Sequence, residues 1–409
     1  MHEREGSAVN GKGSLHTEYM DRQGRLQEVM RTNGIDGFLV NHNVDLFYFN
    51  GSMQTGYLFV PAEGTSLFIV RRSITRAREE SAAEVEELGS LRTLRDRLAQ
   101  RYPGIFAPGQ EALLATELDV LPVQQFQRLE AAFGGVKWKD GSLLVKELRM
   151  IKSPAEIDWI RKAAVVIDRT LEAAISGIRE GMSELELMTI IERENRLQGH
   201  LGLMRMRAYN SELITGCVAA GASAAEPTYF DGPAGGRGLS SASPQSASTR
   251  VIGRNEPILI DIGCCIDGYV IDQTRIAVIG RLPGHLQRAY EVSERILQEA
   301  EAMLKPGTIA EHLYLQSLDT AAAEGLADHY MGFAGDQVKF LGHGIGLEID
   351  EFPVLAKGFK YPLQPGMVIA IEPKFTFPGE GVVGIENTYV ITETGFEKLT
   401  VSREGILAI

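Results

Sequence analysis

Cysteine is scarce in this chain, and positive charge is outnumbered. The three cysteines, Cys217 and the neighbours Cys264 and Cys265, cannot build a disulfide framework, because adjacent cysteines rarely bridge one another. They read as buried strand residues. Lysine and arginine total 41 against 54 acidic residues, a formal net charge of −13, which argues against nucleic acid or an anionic membrane as partner, since either rewards a basic patch. No apolar run approaches the roughly 18–20 residues of a membrane span, and the polar start Met1-His2-Glu3-Arg4-Glu5 is unlike a secretion signal. A cytoplasmic location is therefore expected. What remains, 44% apolar and 23% charged residues over 409 positions, is the composition of a globular enzyme with material for more than one core.

Punctuation along the chain divides it. Residues 1–16 are rich in glycine, serine and charge and read as a disordered tail. Residues 20–33 have helical spacing, strand-like runs follow at 38–40, 46–49, 57–60 and 67–70, and residues 79–102 read as a helix with a charged outer face, an alternation expected of an α/β domain over 17–148. A second domain, 149–409, opens at Ser153-Pro154-Ala155-Glu156, where serine caps, proline sits harmlessly at the first helical position and glutamate completes a capping box. Ser183-Glu184-Leu185-Glu186 and Thr308-Ile309-Ala310-Glu311 carry the same signal, the repetition expected of two similar halves.

Five residues carry the chemistry: Asp261, Asp272, His343, Glu372 and Glu386. Ile258-Leu259-Ile260-Asp261-Ile262-Gly263 places a carboxylate in an apolar strand-like run, where an unpaired charge is costly and a cation or hydrogen-bonding partner is required. Asp272 follows eleven positions later, a spacing that fits a hairpin turning at Asp267-Gly268 and lets both side chains meet. Four carboxylates with one imidazole favour Mn²⁺, Co²⁺ or Fe²⁺ over a thiolate-type zinc site, and two such ions close together can generate and aim a hydroxide. A metal-assisted hydrolase is the leading reading.

The motifs Gly342-His343-Gly344-Ile345-Gly346-Leu347-Glu348-Ile349, Ala370-Ile371-Glu372-Pro373 and Gly384-Ile385-Glu386-Asn387-Thr388, with the paired aspartates upstream, resemble the pita-bread metallopeptidases: methionine aminopeptidase, prolidase, aminopeptidase P and the metal-free relative creatinase. The resemblance implies a creatinase-type N-terminal α/β domain followed by a pita-bread (α+β) catalytic domain, and a homodimer. It implies two divalent metal ions, Mn or Co, with Zn or Fe as further options. Asp261 would chelate one ion, His343 and Glu372 the other, and Asp272 and Glu386 would bridge them. Glu372 would also be the general base. The implied activity is hydrolysis of an amide-type C–N bond, most specifically by an Xaa-Pro dipeptidase or aminopeptidase P.

Two family histidines are missing. The slot seven residues after His343 holds Asp350, and residues 238–246, where a second is expected, contain none. The remaining downstream histidines are His285, His312 and His329. Loss of imidazoles that would contact the scissile carbonyl leaves room for another reading, a small non-peptide substrate such as a cationic amide or guanidino compound bound by Asp350. A silent metal-binding module is a third. The segment Met204-Arg205-Met206-Arg207-Ala208-Tyr209 alternates like a strand and offers Arg205 and Arg207 to a substrate carboxylate, or to the surface. The Gly/Pro loop 229–238 lacks the Lys-Ser/Thr helix start of a phosphate loop and is expected on the substrate side.

Overall fold

The computed structural model describes residues 5–107, 109–210 and 212–409, with side chains described from Leu15 onward. The chain forms two compact units, Met1–Leu148 and Arg149–Ile409.

The first unit is a six-stranded mixed sheet in the spatial order Glu84–Glu87, Leu67–Val70, Gly56–Pro61, Gly37–Val40, Leu113–Thr116, Lys137–Asp140. Leu39, Phe59, Ile69, Leu98, Leu114 and Phe133 close its core. Residues 46–49, expected as a strand, lie instead in the helix Asn43–Asn50. Almost every side of that helix is buried, so its apolar residues show no 3.6-residue period. Gly51, in the left-handed region at φ 79°, ends it by donating to the Phe47 carbonyl. Residues 79–102 are likewise not one helix. They split into the end of Ile74–Glu80, the edge strand Glu84–Glu87 and the helix Leu94–Arg101, with Arg97 and Arg101 pairing with Glu86 and Glu84 across the gap. The first helix runs Glu5–Thr32, so it takes in much of the segment read as a tail; residues 1–4 lie outside the described residues.

The second unit repeats one plan twice. The helices Pro154–Gly177 and Glu184–Leu197 accompany the strands Gly216–Ala220, Ile258–Ile266 and Tyr269–Val278. The helices Gly284–Met303 and Ala310–Ala323 accompany a sheet ordered Glu351–Ala356, Phe340–Gly344, Val368–Ile371, Asn387–Ile391, Phe396–Lys398. The capping boxes at Ser153/Glu156 and Ser183/Glu186 form in full. The expected third does not: Thr308 donates instead to the Met303 carbonyl at 2.7 Å, and Glu311 accepts from the Gly358 amide at 2.9 Å. One core cluster gathers Leu259, Ile276, Ile296, Leu341, Ile369, Phe375 and Tyr389 from strands of both halves and a helix, all at most 1% exposed. Each such burial contributes about 1.5–3 kcal/mol against an exposed side chain. Among the described residues no helix is long and apolar enough to cross a membrane.

Candidate active site

The hairpin Ile258–Ile266/Tyr269–Val278 turns through Asp267 and Gly268, both at positive φ (49° and 95°), the two-residue turn whose twist matches its strands. Its register sets Asp261 opposite Thr274 and Gly263 opposite Asp272. The two aspartates are therefore diagonal neighbours on one face. Arg275, one position on from Thr274, faces the other way and makes no pair with Asp272. Its guanidinium is fully buried and donates to the carbonyls of Thr274, Glu386, Ser402 and Arg403 and to Asn387 Oδ1, at 2.8–3.0 Å. That fastens the hairpin to the segment carrying Glu386.

The second half supplies the rest. His343 lies in Phe340–Gly344, paired with Ala370 across the sheet; Glu372 follows Val368–Ile371, and Glu386 precedes Asn387–Ile391. The structure brings all five sequence-chosen residues together. Asp272, His343 and Glu386 offer ligand atoms within 4.8 Å of one another, as do Asp261, Glu372 and Glu386. His343 Nδ1 sits 3.0 Å from the Gly344 carbonyl and 3.3 Å from Asp350, contacts that favour a proton on Nδ1 and leave the Nε2 lone pair, 3.7 Å from Glu372, facing the carboxylates.

A sixth residue was not anticipated. Lys374 Nζ, wholly buried, lies 2.6 Å from Glu372, 3.0 Å from Asp261 and 3.2 Å from Glu386. It fills the centre of the Asp261–Glu372–Glu386 group. The signal was available in the sequence: Lys374 stands two positions beyond Glu372, and an i, i+2 pair in extended chain shares a face. The electrostatics follow from this crowding. Burial raises Glu372 to about 7, with the Lys374 charge pulling it down and Glu386 pushing it up. Burial also lifts Asp261 and Asp272, and neighbouring carboxylates add to it. Burial works against the charge on Lys374, but Asp261, Glu372 and Glu386 together hold its pKa well above the ordinary lysine value.

The donor set fits one divalent ion better than two. On the Asp272–His343–Glu386 side, Glu386 Oε1 is buried and has no hydrogen-bond partner, whereas Oε2 is taken by Thr274 Oγ1 and Lys374. An orphaned carboxylate oxygen beside an imidazole suits a cation. On the Asp261 side an ammonium already serves the oxygens.

Above these groups lies an inner cleft of about 90 Å³ bounded by Asp261, Asp272, His343 and Glu372, with Met204, Gln245 and the Phe230–Gly235 loop as walls. A chamber of about 500 Å³ shares Phe230, Asp231, Phe340, His343 and Asp350 with it and adds Arg207, Tyr209 and Tyr229. The side chain of Asp350 is 47% exposed. The segment around Arg205 and Arg207 is irregular, not the expected strand, because its backbone joins the loop before Asp350: the Ile349 amide donates to the Arg205 carbonyl at 2.9 Å. Arg207 lines the chamber and Arg205 does not. None of the three spare histidines lines either cavity. His285 meets Glu380 on the surface, His312 lies on an exposed helix face, and His329 stacks on Phe377 with Nδ1 at 2.7 Å from the Thr376 carbonyl. The histidine-free upstream segment instead presents Gln245 to the inner cleft.

Comparison with known proteins agrees with this architecture. The model of metallopeptidase family M24 matches residues 158–393, and that of the creatinase/prolidase N-terminal domain matches residues 22–151. An Xaa-Pro dipeptidase of Pyrococcus horikoshii is 28% identical over 385 residues, 94% of this chain and 97% of the relative, and one of Pyrococcus furiosus is 29% identical over 95% of this chain and 99% of the relative. Among solved structures, the Xaa-Pro dipeptidase from Bacillus anthracis superposes with a TM-score of 0.80 at 26% identity, covering 96% of this chain and 100% of that one. The prolidase from Pyrococcus horikoshii gives 0.76 at 26% identity, covering 94% and 99%. The family implies divalent metal ions. With a family model spanning more than half its length, the chain belongs to metallopeptidase family M24, the pita-bread metallopeptidases, and carries a creatinase-type domain in front of the catalytic one.

Proposed function

We propose that the chain hydrolyses the amide bond of short, free peptides, with Xaa-Pro dipeptides as the first substrate class to test. The observation that carries this reading is the convergence of Asp272, His343, Glu372 and Glu386 beside a cleft whose adjoining chamber is lined by charges of both signs, Asp231, Asp350 and Arg207. A zwitterionic dipeptide matches that polarity: its ammonium would meet the two aspartates and its carboxylate the arginine.

A divalent ion held by Asp272, His343 and Glu386 would polarise the scissile carbonyl and acidify water. We assign Mn²⁺ or Co²⁺, on the oxygen-rich donor set. Glu372 is the general base: its Oε1 faces His343, and its partnership with Lys374 fixes the carboxylate plane. His343 is oriented by the Gly344 carbonyl and Asp350. Gln245 lines the cleft where the upstream family histidine is missing, and its amide, which donates to the Tyr229 hydroxyl at 3.3 Å and the Glu212 carbonyl at 3.5 Å, is the donor we assign to a substrate carbonyl oxygen. A cytoplasmic homodimer completes the proposal, the first from the acidic composition and the second from the family resemblance.

The two acidic groups of the chamber also favour a second reading, a small cationic amide or guanidino substrate. Both are tested by steady-state kinetics of the Mn²⁺-loaded protein on Xaa-Pro dipeptides, on the same peptides N-acetylated, and on small cationic amides. Turnover of the free dipeptides, with kcat/KM falling about tenfold to a hundredfold on acetylation, is expected for a lost charge-assisted contact. Turnover of cationic amides alone would transfer the assignment to the second reading.

A further inference from the structure

We infer that Lys374 is a tethered cation that takes one of the two cation positions of this site, so that the protein works with a single divalent ion. The inference rests on reading the site as a hydrolase centre but concerns its stoichiometry, which is counted without substrate. The geometry is that of substitution. Nζ is 2.6–3.2 Å from Glu372, Asp261 and Glu386, the same three residues whose ligand atoms converge within 4.8 Å as one of the two candidate metal groups. A divalent ion would approach those oxygens to about 2.0–2.2 Å. Both cations cannot satisfy the same lone pairs at the same centre, and like charges so close in a dry site repel strongly.

The position is built for the lysine. Lys374 pairs across the hairpin with Gly384, and a Cβ at 384 would stand only 2.6 Å from Lys374 Cγ. Glycine there leaves room for the stem that delivers the ammonium. Lys374 touches no part of the open cleft; it is a positioning residue that fixes three carboxylates and offsets one of their charges. Four carboxylates against one ammonium leave three negative charges unmatched, and one divalent ion offsets two of them. The remaining position is the one where Glu386 Oε1 has no partner beside Asp272 and His343.

The test is to strip the full-length protein with chelator, reload it with excess Mn²⁺, remove unbound ion, and measure manganese per chain by elemental analysis together with the electron paramagnetic resonance spectrum. The wild type is expected to hold one ion with the hyperfine pattern of an isolated Mn²⁺. Lys374→Met, which keeps the stem and removes the charge, is expected to hold two, with the spectrum of an exchange-coupled pair; Lys374→Arg keeps the charge and is expected to stay at one. Two coupled ions in the wild type would overturn the inference, since the lysine would then have withdrawn to admit the second. So would no ion in the wild type, or a folded Lys374→Met protein that still binds one. The wild-type measurement decides even if Lys374→Met fails to fold. Absence of peptidase activity would defeat the proposed substrate and leave this count untouched.

Discussion

Glu351 anchors the loop that carries Asp350 to the cleft, and its removal is expected to destabilise the catalytic unit by an amount that shrinks on acidification. Its carboxylate is buried and meets Arg149 at 2.6 Å and Lys152 at 2.9 Å, and it accepts from the Leu347 and Glu348 amides at 2.8 and 3.1 Å. Burial alone would raise its pKa, but the two cations and their hydrogen bonds bring it down to about 2 from 4.5. That difference corresponds to about 3 kcal/mol of stability at neutral pH. The sign follows from the depressed folded-state value: the contribution is complete above the unfolded pKa near 4.5 and is lost as pH falls toward 2. Glu351→Gln takes the counter-charge from buried Lys152 and leaves Arg149 paired with Glu348, and is expected to cost about 3–5 kcal/mol at pH 7. By pH 3.5 the gap to wild type should narrow by about 1 kcal/mol. The chain has two tryptophans, Trp138 in the first unit and Trp159 in the second, so urea titrations followed by fluorescence in a Trp138→Phe background report the catalytic unit. A gap that stays constant or widens between pH 7 and pH 3.5 would refute the linkage, and a gap below about 1 kcal/mol at pH 7 would refute the anchor.

Asp272→Asn is expected to reduce manganese retained after loading to less than half of wild type, measured by elemental analysis, because it removes a charge from the group that holds the ion. Asp350→Asn should raise KM for a free Xaa-Pro dipeptide about tenfold, roughly 1.4 kcal/mol, at equal metal occupancy and with kcat little changed; an unchanged KM would remove Asp350 from substrate binding. Arg275→Met should lower the denaturant midpoint of the catalytic unit by the equivalent of at least about 3 kcal/mol, since several carbonyls lose a buried charged donor.

The catalytic half was easier to read than the N-terminal half, for physical reasons visible in particular elements. Helix starts at Ser153 and Ser183 announce themselves because capping is a local transaction among four residues. The same four-residue signal at Thr308 marked the helix Ala310–Ala323 but not its cap, because the hydroxyl turned back to the Met303 carbonyl and the glutamate took the distant Gly358 amide. Asn43–Asn50 was hidden because burial on nearly all sides erases the helical period, and Glu84–Glu87 because a charged sequence serves as an edge strand when arginines from a neighbouring helix neutralise it. Arg101 with Glu84 and Glu311 with Gly358 are contacts that a window of a dozen residues does not contain.

The site shows the same division. The five ligand-type residues were legible because carboxylates in apolar strands need a reason to be there, and the hairpin spacing of Asp261 and Asp272 supplied the geometry. Lys374 was legible only as the i+2 neighbour of Glu372 in an extended chain; the glycine opposite and the three carboxylates around its tip come from the fold. Its presence changes what retention of all five ligand-type residues means. Having all five would otherwise argue for two ions, but three of those donors already meet the Lys374 ammonium, which a chelator cannot remove. On the single-ion proposal Asp261 would serve without a metal, as a counter-charge 3.0 Å from Lys374 Nζ.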